Sequence, residues 1–133
     1  MTSPDDRPLL LHNTMRITDG HLDEFRAAVR RAVEFVSEHG PQLMVQVFVD
    51  EKDLRAHSFQ LYPDSAAILT HWRLADPFIA DVMRHCVVER LAMYGDPDEA
   101  VRRGLRPDEV DGIERVTVPR HVGFVRFPAG SET

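Results

Sequence analysis

The sequence predicts an α+β domain with the element order strand, helix, strand, strand, helix, strand. Three observations carry this prediction: an alternating run over Leu9–Ile17, an amphipathic stretch over residues 21–39, and two β-rich runs that flank a charged turn at residues 50–53. Apolar residues at every second position indicate a strand, whereas spacings of three and four indicate a helix. Residues 60–78 then lead from the hairpin into the second helix, and the rest of the chain is organised around them.

The first strand carries chemically useful side chains on both faces. Alternation divides it into two sets, namely Leu9, Leu11, Asn13, Met15 and Ile17, and Leu10, His12, Thr14 and Arg16. The helix that follows has Asp23 and Glu24 in its first turn, where the helix dipole favours acidic residues, and Gly40-Pro41 ends it. Its apolar positions recur at helical spacing and form one buried stripe: Leu22, Phe25, Val29, Ala32, Val33 and Val36.

The hairpin, formed by strands at residues 43–49 and Arg55–Tyr62, is expected to have one face of mixed character. A solvated face would not keep Met, Phe and Tyr, and a dry core would not keep two glutamines. Such a face suits a cavity wall or a subunit interface. Its predicted members are Met44, Gln46, Phe48, Ser58, Gln60 and Tyr62.

The second helix begins after Pro63, where Asp64 or Ser65 can cap it. Asp76-Pro77 restarts the helix, because Pro is tolerated at a first helical position. The apolar stripe of this segment is expected to continue through Phe78, Ile79, Val82, Met83, Cys86 and Val87.

A short amphipathic helix is predicted at residues 98–105, and a last strand at residues 112–127. Pro119 interrupts that strand and fits only an edge, a bulge or a strand start.

Composition limits the classes of function. The 133 residues fit one domain with its core at about residues 9–127, and the net charge of −6 argues against a nucleic-acid partner. A single cysteine, Cys86, excludes an intrachain disulfide, and no apolar run is long enough for a membrane span. The N-terminus has no apolar leader, so we expect a cytoplasmic protein. Seven histidines occur without metal-ligand spacing, so no metal site is expected.

Three features resemble the antibiotic biosynthesis monooxygenase group of dimeric α+β barrels. The first is Gly20 between the first strand and an acidic helix start that includes Phe25. The second is the passage Gln60-x-Tyr62-x-Asp64, followed by Ala67 and His71, where the family often has Glu-x-Trp-x-Asp and then a helix with Ala and His. The third is the junction Asp76-Pro77-Phe78. The resemblance covers roughly residues 9–95, and the remainder resembles the C-terminal extension of a longer subgroup.

The resemblance implies a ferredoxin-like βαββαβ unit whose antiparallel sheet faces that of a second copy, giving a homodimeric barrel with a C-terminal extension. It also implies a cofactor-independent monooxygenase that acts with O₂ on a small aromatic or polyketide-like substrate. A phenolate or carbanion can pass an electron directly to O₂, so such an enzyme needs a base, hydrogen-bond donors and a dry pocket, and no cofactor.

Candidate bases are His71, which falls where the family commonly has a helix histidine, and His12 on the first strand. Each also has a structural alternative, in which the imidazole only braces its element. Haem ligation, known elsewhere in the superfamily, is not expected, because the ligand position falls on Val82 and His85 lies almost a turn beyond. The candidate substrate-binding residues are Asn13, Gln46, His57, Gln60, Tyr62 and Trp72.

Two further functions remain open. Gln60 stands where the family often has a glutamate, so any role of that carboxylate is lost. A non-catalytic dimeric ligand-binding or accessory protein would need no base. An isomerase or cyclase would need the same pocket and base but no oxygen.

Overall fold

The computed structural model describes residues 7–74, 76–105 and 111–126, with the side chain of residue 76 excepted. Within these ranges the chain forms five strands and four helices. The strands are β1 (Leu9–Ile17), β2 (Met44–Asp50), β3 (Arg55–Tyr62), β4 (Cys86–Tyr94) and β5 (Glu114–Val118). The helices are α1 (Leu22–His39), α2 (Ser65–Leu74), α3 (Asp76–Met83) and α4 (Glu99–Leu105).

The strands form one sheet in the order β2-β3-β1-β4-β5. Neighbouring strands are antiparallel except β4 and β5, which are parallel because α4 crosses over between them. All four helices lie on one face of the sheet, since each contributes a buried residue to a cluster with inward-facing residues of β1. These helix residues are Phe25, Ala28, Ile68, Val82 and Val101. No helix within the described ranges is long and apolar enough to cross a membrane.

Local signals explain most element boundaries. The predicted bounds of β1 and β3 are confirmed, and those of α1 and β2 agree within one residue. The Asp64 carboxylate caps α2 by accepting a hydrogen bond from the backbone N–H of Ala67 at 2.9 Å. The Asp98 carboxylate caps α4 in the same way, accepting from the backbone N–H of Val101 at 3.0 Å.

The prediction for the residues after α3 was wrong. Cys86 and Val87 do not extend a helical stripe, because α3 ends at Met83 and Cys86 begins β4. The pairing of β4 with β1 shifts register between Thr14 and Met15, and this bulge interrupts the alternation by which a strand is recognised. The strand predicted at residues 112–127 is only Glu114–Val118, with residue 127 outside the described ranges. It is a fifth, parallel strand beside the core unit.

The predicted mixed hairpin face was also wrong. Cross-strand partners share a face, and Val45 pairs with Gln60 while Gln46 pairs with Phe59. The tight turn pairs each even-numbered β2 residue with an odd-numbered β3 residue, so the predicted set is split between the two faces. Ser58, Gln60 and the fully buried Tyr62 face the helices. The face without helices, here called the open face, carries Met44, Gln46, Phe48, His57, Phe59 and Leu61.

Two hydrophobic clusters form the core. One joins Leu9 and Leu11 to α2 and α4, and the other joins Met15 and Ile17 to α1 and α3. Asn13 lies between these two pairs on the same face of β1, where neither cluster fills the space between sheet and helices.

Candidate functional site

A cavity of about 430 Å³ lies above Asn13 between the sheet and the helices. Its size falls in the range of small-molecule sites. Most of its wall is apolar and comes from α1, α3 and the inward residues of β2, including Val33, Val36, Val47 and Ile79. The residues that bring polar atoms to the wall are Asn13, Gln42, Ser58, Gln60, His71, Trp72 and Arg115.

His71, on α2, is the one histidine in the described wall of this cavity. It is 7% exposed, and its ring centroid lies 5.9 Å from that of Tyr62. Nδ1 is buried and has no hydrogen-bond partner within the described ranges. Burial lowers the pKa of His71, because the charged imidazolium loses its hydration. The imidazole is therefore neutral at pH 7 and able to accept a proton.

Asn13 places an amide at the centre of the cavity floor. Its neighbours across the sheet are Ser58 on β3 and Leu91 on β4. The Oδ1 atom is buried and has no partner among the residues that the structure describes. A buried polar atom without a partner is costly, so a ligand that donates a hydrogen bond here would recover that cost.

A chain of polar side chains fixes Gln60. Gln42 Nε2 donates a long hydrogen bond of 3.5 Å to the Tyr62 hydroxyl, which in turn donates to Gln60 Oε1. Gln60 Nε2 donates to Ser58 Oγ at 3.2 Å. Burial raises the pKa of Tyr62, so the phenol stays protonated and remains a donor. Tyr62 thus acts behind the cavity wall, by holding the Gln60 amide in place.

The C-terminal part of the chain closes one side of the cavity. Trp72 packs against the backbone of Gly104 on α4, and Gly104, Leu105 and Arg115 all line the cavity. Arg115 Nη1 and Nη2 donate to the two Asp111 carboxylate oxygens at 2.9 and 2.8 Å, whereas Nε is buried and has no partner in the described part of the chain.

Sequence reasoning missed Arg115 and Gln42 as wall residues. A spacing of two residues groups Arg115 with Ile113 and Thr117, although this segment does not alternate between polar and apolar residues. It places these three residues on one face, but it does not indicate that this face meets the helices.

The remaining predicted site residues lie on the open face, separated from the cavity by the sheet. His12 Nε2 and His57 Nδ1 share a hydrogen bond of 3.1 Å, and the His12 ring stacks on Phe59 with centroids 4.2 Å apart. Gln46 is the partner of Phe59 on the edge strand. The structure therefore gathers Asn13, Gln60, His71 and Trp72 around one cavity and places His12, His57 and Gln46 in a second group. His85, the histidine that follows the predicted haem-ligand position, shares a hydrogen bond of 3.1 Å with His21 through the two Nδ1 atoms.

Solved structures share this architecture, although no protein-family model and no curated protein sequence matches the chain. MupZ from Pseudomonas fluorescens is 17% identical with a TM-score of 0.74, and the match covers 90% of this chain and 95% of MupZ. SnoaB, a cofactor-independent oxygenase from Streptomyces nogalater, is 13% identical with a TM-score of 0.59, covering 69% of this chain and 95% of SnoaB.

A Caulobacter crescentus protein provisionally named an antibiotic biosynthesis monooxygenase is 14% identical with a TM-score of 0.58, covering 70% of this chain and 92% of that one. The match to MupZ must include part of the C-terminal extension, since 90% of this chain cannot be reached without it. The predicted resemblance is confirmed at the level of the fold: this chain has the ferredoxin-like α+β fold of SnoaB and of the antibiotic biosynthesis monooxygenase-like structures.

Proposed function

We propose that this chain is a cofactor-independent monooxygenase that oxidises a small aromatic or polyketide-like substrate with O₂, with His71 as the base. One observation carries the proposal: a buried, neutral imidazole without a partner for Nδ1 lies in the wall of a mostly apolar cavity. An uncharged imidazole in a cavity can take up a proton near neutral pH, and titratable groups with shifted pKa values cluster at functional sites.

The reaction follows from these groups. For an anthrone, His71 removes a proton from the acidic CH₂ group, and the Asn13 and Gln60 amides orient the substrate oxygen. The resulting anion passes an electron to O₂, and recombination of the radical pair forms a C–O bond. The peroxide anion takes back the proton from His71, and loss of water from the resulting hydroperoxide leaves a quinone carbonyl, so that one oxygen atom enters the product and the other leaves as water. The apolar walls keep bulk water from reprotonating the anion.

The same cavity could serve the two other functions that the sequence leaves open. An isomerase or cyclase would use His71 without O₂, and a ligand-binding protein would use the cavity without His71. The fold of SnoaB, a cofactor-independent oxygenase, supports the oxygenase alternative. One fold can host unrelated functions, and oxygen consumption distinguishes the oxygenase from the other two.

Oxygen uptake tests the proposal. Wild-type protein is expected to consume O₂ with members of a panel of anthrones and hydroquinones above the rate of spontaneous oxidation. His71→Gln is expected to lower the rate by about 10²- to 10⁴-fold, the usual contribution of a general base. His121→Gln, at an exposed histidine away from the cavity, serves as the matched control and should leave the rate unchanged.

Failure of wild-type protein to consume O₂ with the panel would contradict the oxygenase proposal. Conversion of a substrate without O₂, and dependent on His71, would instead identify an isomerase or cyclase. Ligand binding without conversion would favour the accessory protein.

We further propose that the protein is a homodimer joined through its open faces. Phe48 is 55% exposed there and Val87 is 50% exposed, with Phe59 and Tyr94 on the same face. Exposed apolar side chains of this kind, on a sheet face that no helix of the described residues covers, are typical of an interface. A partner on this face would leave each cavity within its own chain.

A further inference from the structure

Arg115 places a positive charge in the wall of a cavity that is otherwise mostly apolar. The other 21 wall residues include no lysine, aspartate or glutamate, and His71 is uncharged at pH 7. The guanidinium of Arg115 is therefore the one full charge in the described wall of the cavity.

The protein uses only part of the guanidinium. Nη1 and Nη2 donate to the Asp111 carboxylate at 2.9 and 2.8 Å, and Nη1 also donates a long hydrogen bond of 3.5 Å to the Ile113 carbonyl oxygen. The Nε–H lies on the side edge of the same group, where it is buried and without a partner in the described residues. That side edge pairs the Nε–H with the second N–H of Nη2, and two parallel N–H groups of this kind match the two oxygens of a carboxylate.

The sheet register aligns Arg115 with the centre of the cavity floor. Arg115 pairs with Leu91, Leu91 with Asn13, and Asn13 with Ser58, so all four residues form one row across four strands. Two strand spacings separate the Arg115 and Asn13 backbones, about 10 Å. A ligand of two or three fused rings above Asn13 can therefore reach the guanidinium edge with a substituent at its end.

We infer that Arg115 binds the carboxylate of an aromatic or polyketide-like acid, which selects this class of substrate for the proposed oxygenase site. The inference rests on the proposed function for the rest of the site, but it concerns recognition and not oxidation. An uncompensated carboxylate is strongly disfavoured in an apolar cavity, so a cationic fork there would favour the acid over a neutral ligand of the same shape.

Calorimetric titration with 2-naphthoate and with 2-naphthamide tests the inference, because the two probes differ chiefly in charge. Wild-type protein is expected to bind 2-naphthoate at least about tenfold more tightly, since a charge-assisted hydrogen bond is the stronger kind. Equal affinity for the two probes, or binding of neither, would overturn the inference without any need for a variant.

Three variants locate the effect. Arg115→Gln is expected to weaken 2-naphthoate binding by about 10- to 100-fold and to leave 2-naphthamide binding nearly unchanged. Arg115→Lys retains the charge and can still pair with Asp111, but it lacks the planar fork, so its affinity for 2-naphthoate should lie between those of the wild type and the Gln variant. Arg30→Gln makes the same change in net charge at an exposed position of α1 and should bind both probes as the wild type does.

Thermal unfolding identifies a variant that does not fold. If Arg115→Gln does not fold, the wild type is compared with Arg115→Lys alone. Retention of the full preference for 2-naphthoate by both Arg115 variants would overturn the inference.

The proposed oxygenase function is judged separately by O₂ uptake. Uptake with neutral anthrones but no preference for 2-naphthoate would remove only the role of Arg115. A preference that depends on Arg115, in a protein without oxygenase activity, would remove only the oxygenase.

Discussion

A single buried histidine determines how the candidate site responds to pH. His71 has little access to water, and burial lowers its pKa from the ordinary value of 6.5. On the open face, the pKa of His12 is also lowered, first by burial and then by the neighbouring His57 and Arg90. Both imidazoles are therefore neutral in the folded protein at pH values where the unfolded chain already binds protons.

This difference makes the folded state less stable in mild acid. The unfolded chain binds more protons than the folded chain below about pH 6.5, so the free energy of unfolding should fall as the pH decreases from 7.5 to 5.5. Urea unfolding across this range measures the slope. His71→Gln should make the slope shallower by removing one of the two groups, whereas Arg30→Gln, at an exposed position of α1, removes no group that titrates in this range and should leave it unchanged. Identical slopes for all three proteins would show that His71 titrates normally.

At the residue scale, the sequence predicted candidate side chains for the site but not their arrangement around the sheet. The resemblance to a family identified His71, and alternation separated Asn13 from His12. Periodicity could not indicate which face of β1 meets the helices, so His12 and His71 were both candidates for one pocket. The structure places them on opposite sides of the sheet.

Among the elements, α4 makes a close contact with Trp72 in the cavity wall. A Cβ atom at Gly104 would lie 2.7 Å from Cη2 of Trp72, too close for any ordinary contact. The indole ring packs directly on the helix backbone, and Val101 of the same helix is fully buried in the core. Because α4 is anchored in this way, the ring and not the helix must move if Gly104 acquires a side chain.

Gly104→Ala should therefore displace Trp72, although alanine is favoured over glycine in helices by about 1 kcal/mol. Overpacking typically costs about 1–3 kcal/mol, which exceeds that gain, so we expect a net loss of stability. Trp72 is the only tryptophan of the chain, so its fluorescence reports the displacement directly. Arg103→Ala, at the exposed neighbouring residue, is the control. A stabilised Gly104→Ala protein with unchanged fluorescence would contradict the contact.

Elements with one clear periodicity were predicted from sequence, and β4 was not. The heptad-like stripe of α1 and the alternation of β3 extend over enough residues to exclude the other period. In β4 the bulge opposite Thr14 and Met15 interrupts the alternation, and Cys86 and Val87 also fit the helical spacing of α3, because each lies four residues after Val82 or Met83. Pairing with β1 decides between the two, and that information is not local in sequence.

At the scale of the whole molecule, the sheet has one face that the described part of the chain leaves without a helix. The sequence indicated an interface there, but it included Tyr62, which is fully buried on the helix side. The hairpin residues of the open face are instead His57, Phe59 and Leu61 of β3 and their partners on β2. This reassignment leaves Phe48 as the most exposed aromatic side chain of the strands, at 55%.

Replacement of Phe48 by aspartate tests the proposed dimer. Wild-type protein is expected to have twice the 15.2 kDa chain mass in native mass spectrometry and in light scattering. Phe48→Asp should be monomeric, because an aspartate buried at the interface would lose its hydration without a partner charge. The substitution should leave the monomer folded, as circular dichroism would show, since Phe48 is already half exposed within one chain. Val122→Asp changes an 80% exposed apolar residue outside the sheet and should remain dimeric. A monomeric wild type would contradict the proposed dimer, because the open face would then not bind a second copy of this chain. A dimeric Phe48→Asp protein would contradict the proposal that the open face forms the interface.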